Sequence, residues 1–242
     1  MRFLVFQHVP HEHPGLIADF ADANNIRLDT VHLWKPYKIP SHSNYDALII
    51  MGGPMGVYEN EKQYPSKNDE VKAIREALGE MPILGFCLGS QLLAYAMGAE
   101  VGPNVVDGKQ VKEIGYLDVS LTDAGKKSPL FKGFSSPIKV LQWHGDAFDL
   151  PEKATLLATS PLCTNQAFSH KNAYGLLFHF EFKPEMIAKQ IEIDKKWIHE
   201  CYEIDERSLL ADAQACAVLM EEQCKKLLTN FVSIIISGRM RK

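Results

Sequence analysis

Met81-Pro82-Ile83-Leu84-Gly85-Phe86-Cys87-Leu88-Gly89-Ser90-Gln91-Leu92-Leu93-Ala94-Tyr95-Ala96 sets one cysteine between two glycines. An apolar run precedes the cysteine and a helix-forming run follows it. The spacing predicts a strand over Pro82–Phe86, a sharp turn, and a helix over Leu88–Met97. This is the cysteine form of the nucleophile elbow, in which glycines at a tight turn expose a strained nucleophile above a sheet. A cysteine in that place also sits at a helix N-terminus, where backbone N–H groups and the helix dipole favour a thiolate. An isolated cysteine is more often a small buried hydrophobe. Cys163, Cys201, Cys216 and Cys224 lack the elbow context and are read as structural.

Outward from the elbow, the first half of the chain alternates strand and helix. Strands are expected at Arg2–Gln7, Arg27–Leu33 and Tyr45–Met51. Helices are expected from Pro14-Gly15 to about Asn24 and over Ser66–Leu78, where Val71, Ile74, Ala77 and Leu78 share a face. That order implies parallel strands with helices on both sides. The middle is strand-rich: Val111–Leu121, Ile138–Trp143, Thr155–Thr159, Asn165–Ser169 and Ala173–Phe180. Turns at Asp107-Gly108 and Lys171-Asn172 interrupt it, so a mixed or antiparallel extension is expected. From Pro184 the pattern is helical, with a long helix from about Asp205 to Ile236. The apolar end Phe231–Ile236 packs on the body or meets another subunit.

A thiolate nucleophile needs a general base and a group that orients it. Gly175-Leu176-Leu177-Phe178-His179-Phe180-Glu181 delivers His179 at the end of an apolar strand, and Glu181 follows two residues later. On a continuing strand the two would face one side. The carboxylate could then hold one ring nitrogen and fix the tautomer facing the cysteine. Taken alone, this pair is as well explained by an exposed strand end. An oxyanion hole needs convergent backbone N–H groups. The N–H of Leu88 is one candidate, and the loop Met51-Gly52-Gly53-Pro54-Met55-Gly56 supplies another.

The 242 residues are 46% hydrophobic and 23% charged, ordinary for a globular protein, with a net charge of −4. Neither a nucleic acid nor a membrane surface is expected as partner. The N-terminal apolar run is too short for a signal peptide, and no run of about 18 apolar residues is present. Five cysteines with irregular spacing argue against a disulfide framework and a zinc site, and a reducing cytoplasm fits. His8, His11 and His13 could suggest a metal, but the expectation is a pocket-rim loop of solvated histidines, with no metal and no cofactor.

Together, Gly-Phe-Cys-Leu-Gly-Ser-Gln, Gly-Gly-Pro-Met-Gly-Val-Tyr and Phe-His-Phe-Glu resemble three motifs of the class I (triad) glutamine amidotransferases. Gln142-Trp143-His144-Gly145-Asp146 and Asn165-Gln166-Ala167-Phe168 resemble two more. The likeness covers roughly residues 2–190 and is closest to stand-alone members similar to the glutaminase domain of GMP synthase. It implies a flavodoxin-like α/β fold: a mostly parallel central sheet flanked by helices, with an additional small antiparallel sheet and a helical C-terminal extension. The expected organisation is an amidotransferase domain over 1–190 and helices over 191–242 packed on it.

The resemblance further implies a Cys87–His179–Glu181 triad and an oxyanion hole from the N–H groups of Gly53 and Leu88. Gln91, Trp143, His144 and Gly145 would hold the amino-acid end of the substrate. Two features depart from the family: Phe180 stands where a proline is usual, and residues beyond about 191 exceed the usual domain. The chain has no phosphate-binding loop. The implied function is therefore glutamine amide hydrolysis, with ammonia used alone or passed to a separate synthase. A γ-glutamyl peptidase acting on glutathione-like conjugates would need the same triad. A non-catalytic regulatory protein keeping the fold, and a relative of the deglycase/protease superfamily, are further alternatives.

Overall fold

A computed structural model describes residues 1–240. In chain order the strands are β1 Arg2–Gln7, β2 Arg27–His32, β3 Ala47–Ile50, β4 Ile83–Phe86, β5 Val101–Pro103, β6 Val105–Val106, β7 Lys109–Gln110, β8 Glu113–Leu121, β9 Ile138–His144, β10 Asp146–Phe148, β11 Thr155–Thr159, β12 Ala167–His170 and β13 Ala173–Leu176. The helices are α1 Gly15–Ala23, α2 Lys67–Ala77, α3 Leu88–Ala96, α4 Asp123–Lys127, α5 Pro184–Ile198 and α6 Glu206–Arg239.

Among the described residues nine strands form one sheet, in the order β2-β1-β3-β4-β13-β12-β11-β8-β9. The first five pair in parallel and the remainder in antiparallel fashion. The parallel part has the strand order of a flavodoxin-like fold. The antiparallel extension continues that sheet, and two short two-stranded sheets, β10-β5 and β6-β7, stand apart from it.

The central strands are apolar along their whole length because both of their faces are covered. Phe3, Val5, Ala47 and Ile49 pack with Ile17 and Ala21 of α1 and with Met220, Leu227, Leu228 and Phe231 of α6. Leu4, Phe6, Leu48 and Ile50 pack on the other side with Val71 and Ile74 of α2 and Leu92 and Leu93 of α3. The long C-terminal helix is unbroken. Its apolar end lies on the body: Phe231 meets Phe3 edge-on with centroids 6.3 Å apart, and Ile235 is buried. Residue 190, the expected end of the first part, falls within α5.

Several expected strands are trimmed at their ends in the structure, one of them by four residues. Ala173–Phe180 pairs as strand only to Leu176. Its neighbour β4 ends at Phe86, and the last bond between them is Cys87 N–H to the Leu176 carbonyl at 2.8 Å. With that edge gone, the chain crosses toward β9. His179 exchanges two bonds with Leu141 there, donating at 2.9 Å and accepting at 3.2 Å.

Candidate active site

The elbow brings the cysteine to the carboxyl ends of the parallel strands, where ligands of open α/β sheets bind. Cys87 has φ 47° and ψ −109°, a conformation that non-glycine residues rarely adopt. Such strain costs on the order of 1–3 kcal/mol and persists only where the surroundings enforce it. The flanking glycines show how. A β-carbon on Gly89 would overlap the Ile50 carbonyl oxygen, and one on Gly85 would crowd the Gly89 carbonyl. The helix can therefore start directly against β3 and β4.

Cys87, His179 and Glu181 are brought together in a buried line, respectively 8%, 1% and 0% exposed. The His179 ring lies close enough to the thiol for each to shift the other's pKa, and Sγ lies 3.8 Å from the Trp143 carbonyl oxygen. His179 Nδ1 meets Glu181 Oε1 at 2.6 Å. The other carboxylate oxygen accepts from Phe180 N–H at 3.0 Å, and the Glu181 carbonyl accepts from Leu16 N–H at the start of α1 at 2.9 Å. Phe182 packs edge-on against the ring of His179 at 4.7 Å.

Burial on its own would lower the pKa of His179, but Glu181 and the Cys87 contact raise it well above its ordinary value. Burial also pushes the Cys87 thiol up, opposed by His179 and by the Leu88 N–H. A thiolate here thus depends on the imidazolium beside it.

A cavity of about 390 Å³ opens over the sulfur. Gly53, Gln91, Trp143, His144 and Gly145 line it together with Cys87 and His179, so those sequence-predicted residues converge on one space. Glu181 stands behind His179 rather than in the cavity wall. Gln91 Nε2 donates to the Asp146 carbonyl at 3.2 Å, which the His144 Nδ1 also approaches at 3.2 Å. Gln142 lies under the floor, donating to Gln166 at 2.9 Å.

The expectation of a solvated histidine loop is corrected for two of its three members. His13 is exposed, His11 is half-buried, and His8 is 2% exposed. The reason is that β1 continues into the interior before the chain turns out, so His8 meets Glu70 of α2. Among the described residues, no group of three or more His, Cys, Asp or Glu side chains could hold a metal ion.

Sequence reasoning missed the carboxylates of this cavity: Glu12, Glu59, Asp146 and Asp194. Glu12 had a signal, since it follows β1 at the sheet edge where ligands bind. Asp194 had none, because it arrives on α5, where it accepts from Trp143 Nε1 at 2.8 Å and Gln190 Nε2 at 2.7 Å. Glu12 is 5% exposed, and its carboxylate lies where a Gly52 β-carbon would otherwise stand; that same β-carbon would be 3.2 Å from His179 Cε1. Burial pushes the Glu12 carboxyl up to about 7, with His179 and His8 opposing and Asp194 and Glu181 adding to the rise.

When ionised, Glu12 also raises the Cys87 pKa, because two negative charges in one dry site disfavour each other. Glu12→Gln removes that repulsion. The midpoint for alkylation of Cys87 by iodoacetamide is then expected at lower pH, by on the order of one unit. A pH series of alkylation rates measures it, and a midpoint that stays or rises contradicts the account.

The family model "Glutamine amidotransferase class-I" matches residues 17–197 of the chain. The chain is 30% identical over 197 residues to the glutamine amidotransferase-like protein YfeJ of Salmonella typhimurium, covering 79% of this chain and 80% of that protein. It is 29% identical over 172 residues to one subunit of the glutamine-hydrolysing GMP synthase of Saccharolobus solfataricus, covering 67% of this chain and 84% of that one. Against the longer glutamine-hydrolysing GMP synthase of Brachyspira hyodysenteriae it is 33% identical over 138 residues, spanning 56% of this chain but only 24% of that protein. A solved glutamine amidotransferase from Thermotoga maritima superposes with a TM-score of 0.85 at 35% identity, covering 96% of this chain and 97% of that one.

Proposed function

The chain belongs to the class I glutamine amidotransferase family of enzymes, and we propose that it hydrolyses the side-chain amide of glutamine and passes the ammonia to a separate synthase. The observation that carries this reading is the buried Cys87–His179–Glu181 line opening on one cavity. His179 Nε2 takes the thiol proton, held in the right tautomer by Glu181 at Nδ1. The thiolate adds to the amide carbon, and the oxygen of the tetrahedral intermediate takes the negative charge. The N–H groups of Gly53 and Leu88 are assigned to that oxygen. The Gly53 N–H donates to no acceptor among the described residues, so it is free for this task.

Collapse of the intermediate breaks the C–N bond, with His179 giving its proton to the departing nitrogen. Ammonia leaves and a glutamyl thioester remains. His179 then deprotonates a water that attacks the thioester, and glutamate is released. Gln91 and the segment Trp143–Gly145 are assigned to the glutamyl end of the substrate. The similarity to one subunit of a GMP synthase supports a partner that consumes the ammonia.

The charge of the cavity separates glutamine from glutathione-like conjugates. Both share the glutamyl part, so only the leaving groups differ. Four carboxylates line the cavity, and no lysine or arginine does so among the described residues. A leaving peptide that carries its own carboxylate meets repulsion from these carboxylates, on the order of a few kcal/mol at short range; ammonia meets none. The kcat/KM for glutamine is therefore expected to exceed that for glutathione by at least about 100-fold, each 1.4 kcal/mol being tenfold. Mass-spectrometric measurement of glutamate and leaving amine from both substrates tests this. Faster turnover of glutathione, or no glutamate from glutamine, overturns the reading.

A further inference from the structure

We propose that His8, paired with Glu70, holds the Gly52–Gly53 peptide so that the oxyanion hole stands formed in the resting protein. This rests on the assignment of the Gly53 N–H to the oxyanion. His8 Nδ1 lies 2.9 Å from the Gly52 carbonyl oxygen, and its Nε2 lies 2.7 Å from Glu70 Oε2. Both partners are buried, Glu70 completely. Glu70 comes from α2, 62 residues away in sequence.

The chemistry of the partners determines the protons. A carbonyl oxygen only accepts, so Nδ1 must carry the hydrogen. One further proton lies between Nε2 and Glu70. Whether it rests on the ring or on the carboxyl, Nδ1–H still donates to Gly52. Burial alone would strip the ring of charge, yet Glu70 and the Gly52 contact raise the His8 pKa, with Glu12 contributing in the same sense. Tyr64 lies edge-on to the His8 ring, with centroids 6.1 Å apart.

The Gly52 carbonyl and the Gly53 N–H belong to one peptide unit. A trans peptide is planar and its C=O and N–H point in opposite directions. Anchoring the carbonyl on the His8 side therefore turns the Gly53 N–H away from His8. Gly53 itself lines the cavity with Cys87 and His179. A Gly-Gly peptide is otherwise the easiest in a chain to rotate, since neither residue carries a β-carbon. Both glycines are also required by close approach. A β-carbon on Gly53 would lie 2.9 Å from both His8 Cβ and Leu88 Cδ2, and one on Gly52 would run into Glu12. The loop that must be glycine for space is thus also the loop that needs an external clamp, and His8–Glu70 supplies it. The consequence is glutamine hydrolysis without a partner to assemble the hole.

The test compares His8→Leu, which removes the donor, with His8→Asn/Glu70→Gln, which returns an N–H donor near the place of Nδ1 and leaves no buried charge. For His8→Leu, kcat with glutamine is expected to fall by about 10²–10³-fold, the loss typical of one oxyanion donor. KM should stay within about twofold, and the rate of Cys87 alkylation by iodoacetamide, which forms no oxyanion, should change far less than kcat. The double variant should recover most of kcat. A crystal structure of His8→Leu should show the Gly52–Gly53 peptide turned. Thermal melting confirms that each variant is folded, and if His8→Leu is not, the double variant and its peptide orientation stand as the test. Retention of kcat, equal loss of alkylation, or an unmoved peptide in a folded His8→Leu overturns the proposal. A wild-type protein that releases no glutamate while the His8→Leu peptide has turned instead overturns the assignment of the glutamine-hydrolysing site.

Discussion

Cys87→Ala is expected to reduce glutamate release from glutamine to background, a loss of at least about 10⁴-fold in kcat, as for removal of a triad nucleophile. Without sulfur no thioester forms, and His179 has no proton to take. The cavity and the Gly53 and Leu88 N–H groups remain, so glutamine should still bind. The fold should survive, because the sulfur contributes one long contact to the Trp143 carbonyl and alanine bears the same backbone strain as cysteine at φ 47°. Cys87→Gly removes both the nucleophile and the strain. It is expected to be equally inactive yet more stable than Cys87→Ala, by on the order of 1 kcal/mol. Glutamate assays and thermal melts on the three proteins measure both effects. Turnover by either variant would exclude Cys87 as the nucleophile, and a melting temperature for Cys87→Gly no higher than for Cys87→Ala would show that the elbow stores no strain.

Glu181→Gln is expected to lower kcat by about 10²–10⁴-fold with little change in KM, following the loss seen when a triad carboxylate becomes an amide. The geometry explains the direction. Phe180 N–H points at Oε2, so the glutamine carbonyl must take that position. The amide NH₂ then faces His179 Nδ1, which can no longer carry a hydrogen. The ring is driven into the opposite tautomer, with its proton on Nε2 toward the sulfur, and cannot receive the thiol proton. Glu181 also opposes the effect of burial on His179. Without it, the imidazolium that accompanies the thiolate loses its support, and alkylation of Cys87 should weaken as well. KM should hold because Glu181 lies behind His179 and outside the cavity wall. Steady-state kinetics and nitrogen NMR of the ring test this together. A kcat within tenfold of wild type, or an unchanged tautomer, would show that Glu181 is structural.

The proposed triad was legible in the sequence because its parts are local. Strand, turn and helix follow one another at the elbow, and the glycines on either side of Cys87 answer to atoms a few residues or one strand away. His179 and Glu181 are two residues apart and meet at 2.6 Å. Even there, a continuing strand is not what joins them. Strand β13 stops where β4 turns into the elbow, and His179 bridges to Leu141 instead.

The alternating strands and helices of the first half likewise declared a parallel α/β sheet through continuous apolar strands and amphipathic helices. Only the tertiary structure decided what surrounds the sulfur. Asp194 reaches the cavity on a helix that begins three residues after Glu181, and Asp146 comes with the return of β9 into β10. Glu70 meets His8 across 62 residues. Such meetings depend on strand order and on which helix covers which face. Those are set by the joint burial of distant apolar surfaces, and no local pattern encodes them. The sequence by itself therefore marked out the residues proposed as nucleophile and base. The carboxylates of the cavity and the His8 and Glu70 contacts at the Gly52–Gly53 peptide were decided by packing, because each needs side chains that only the closed sheet brings together.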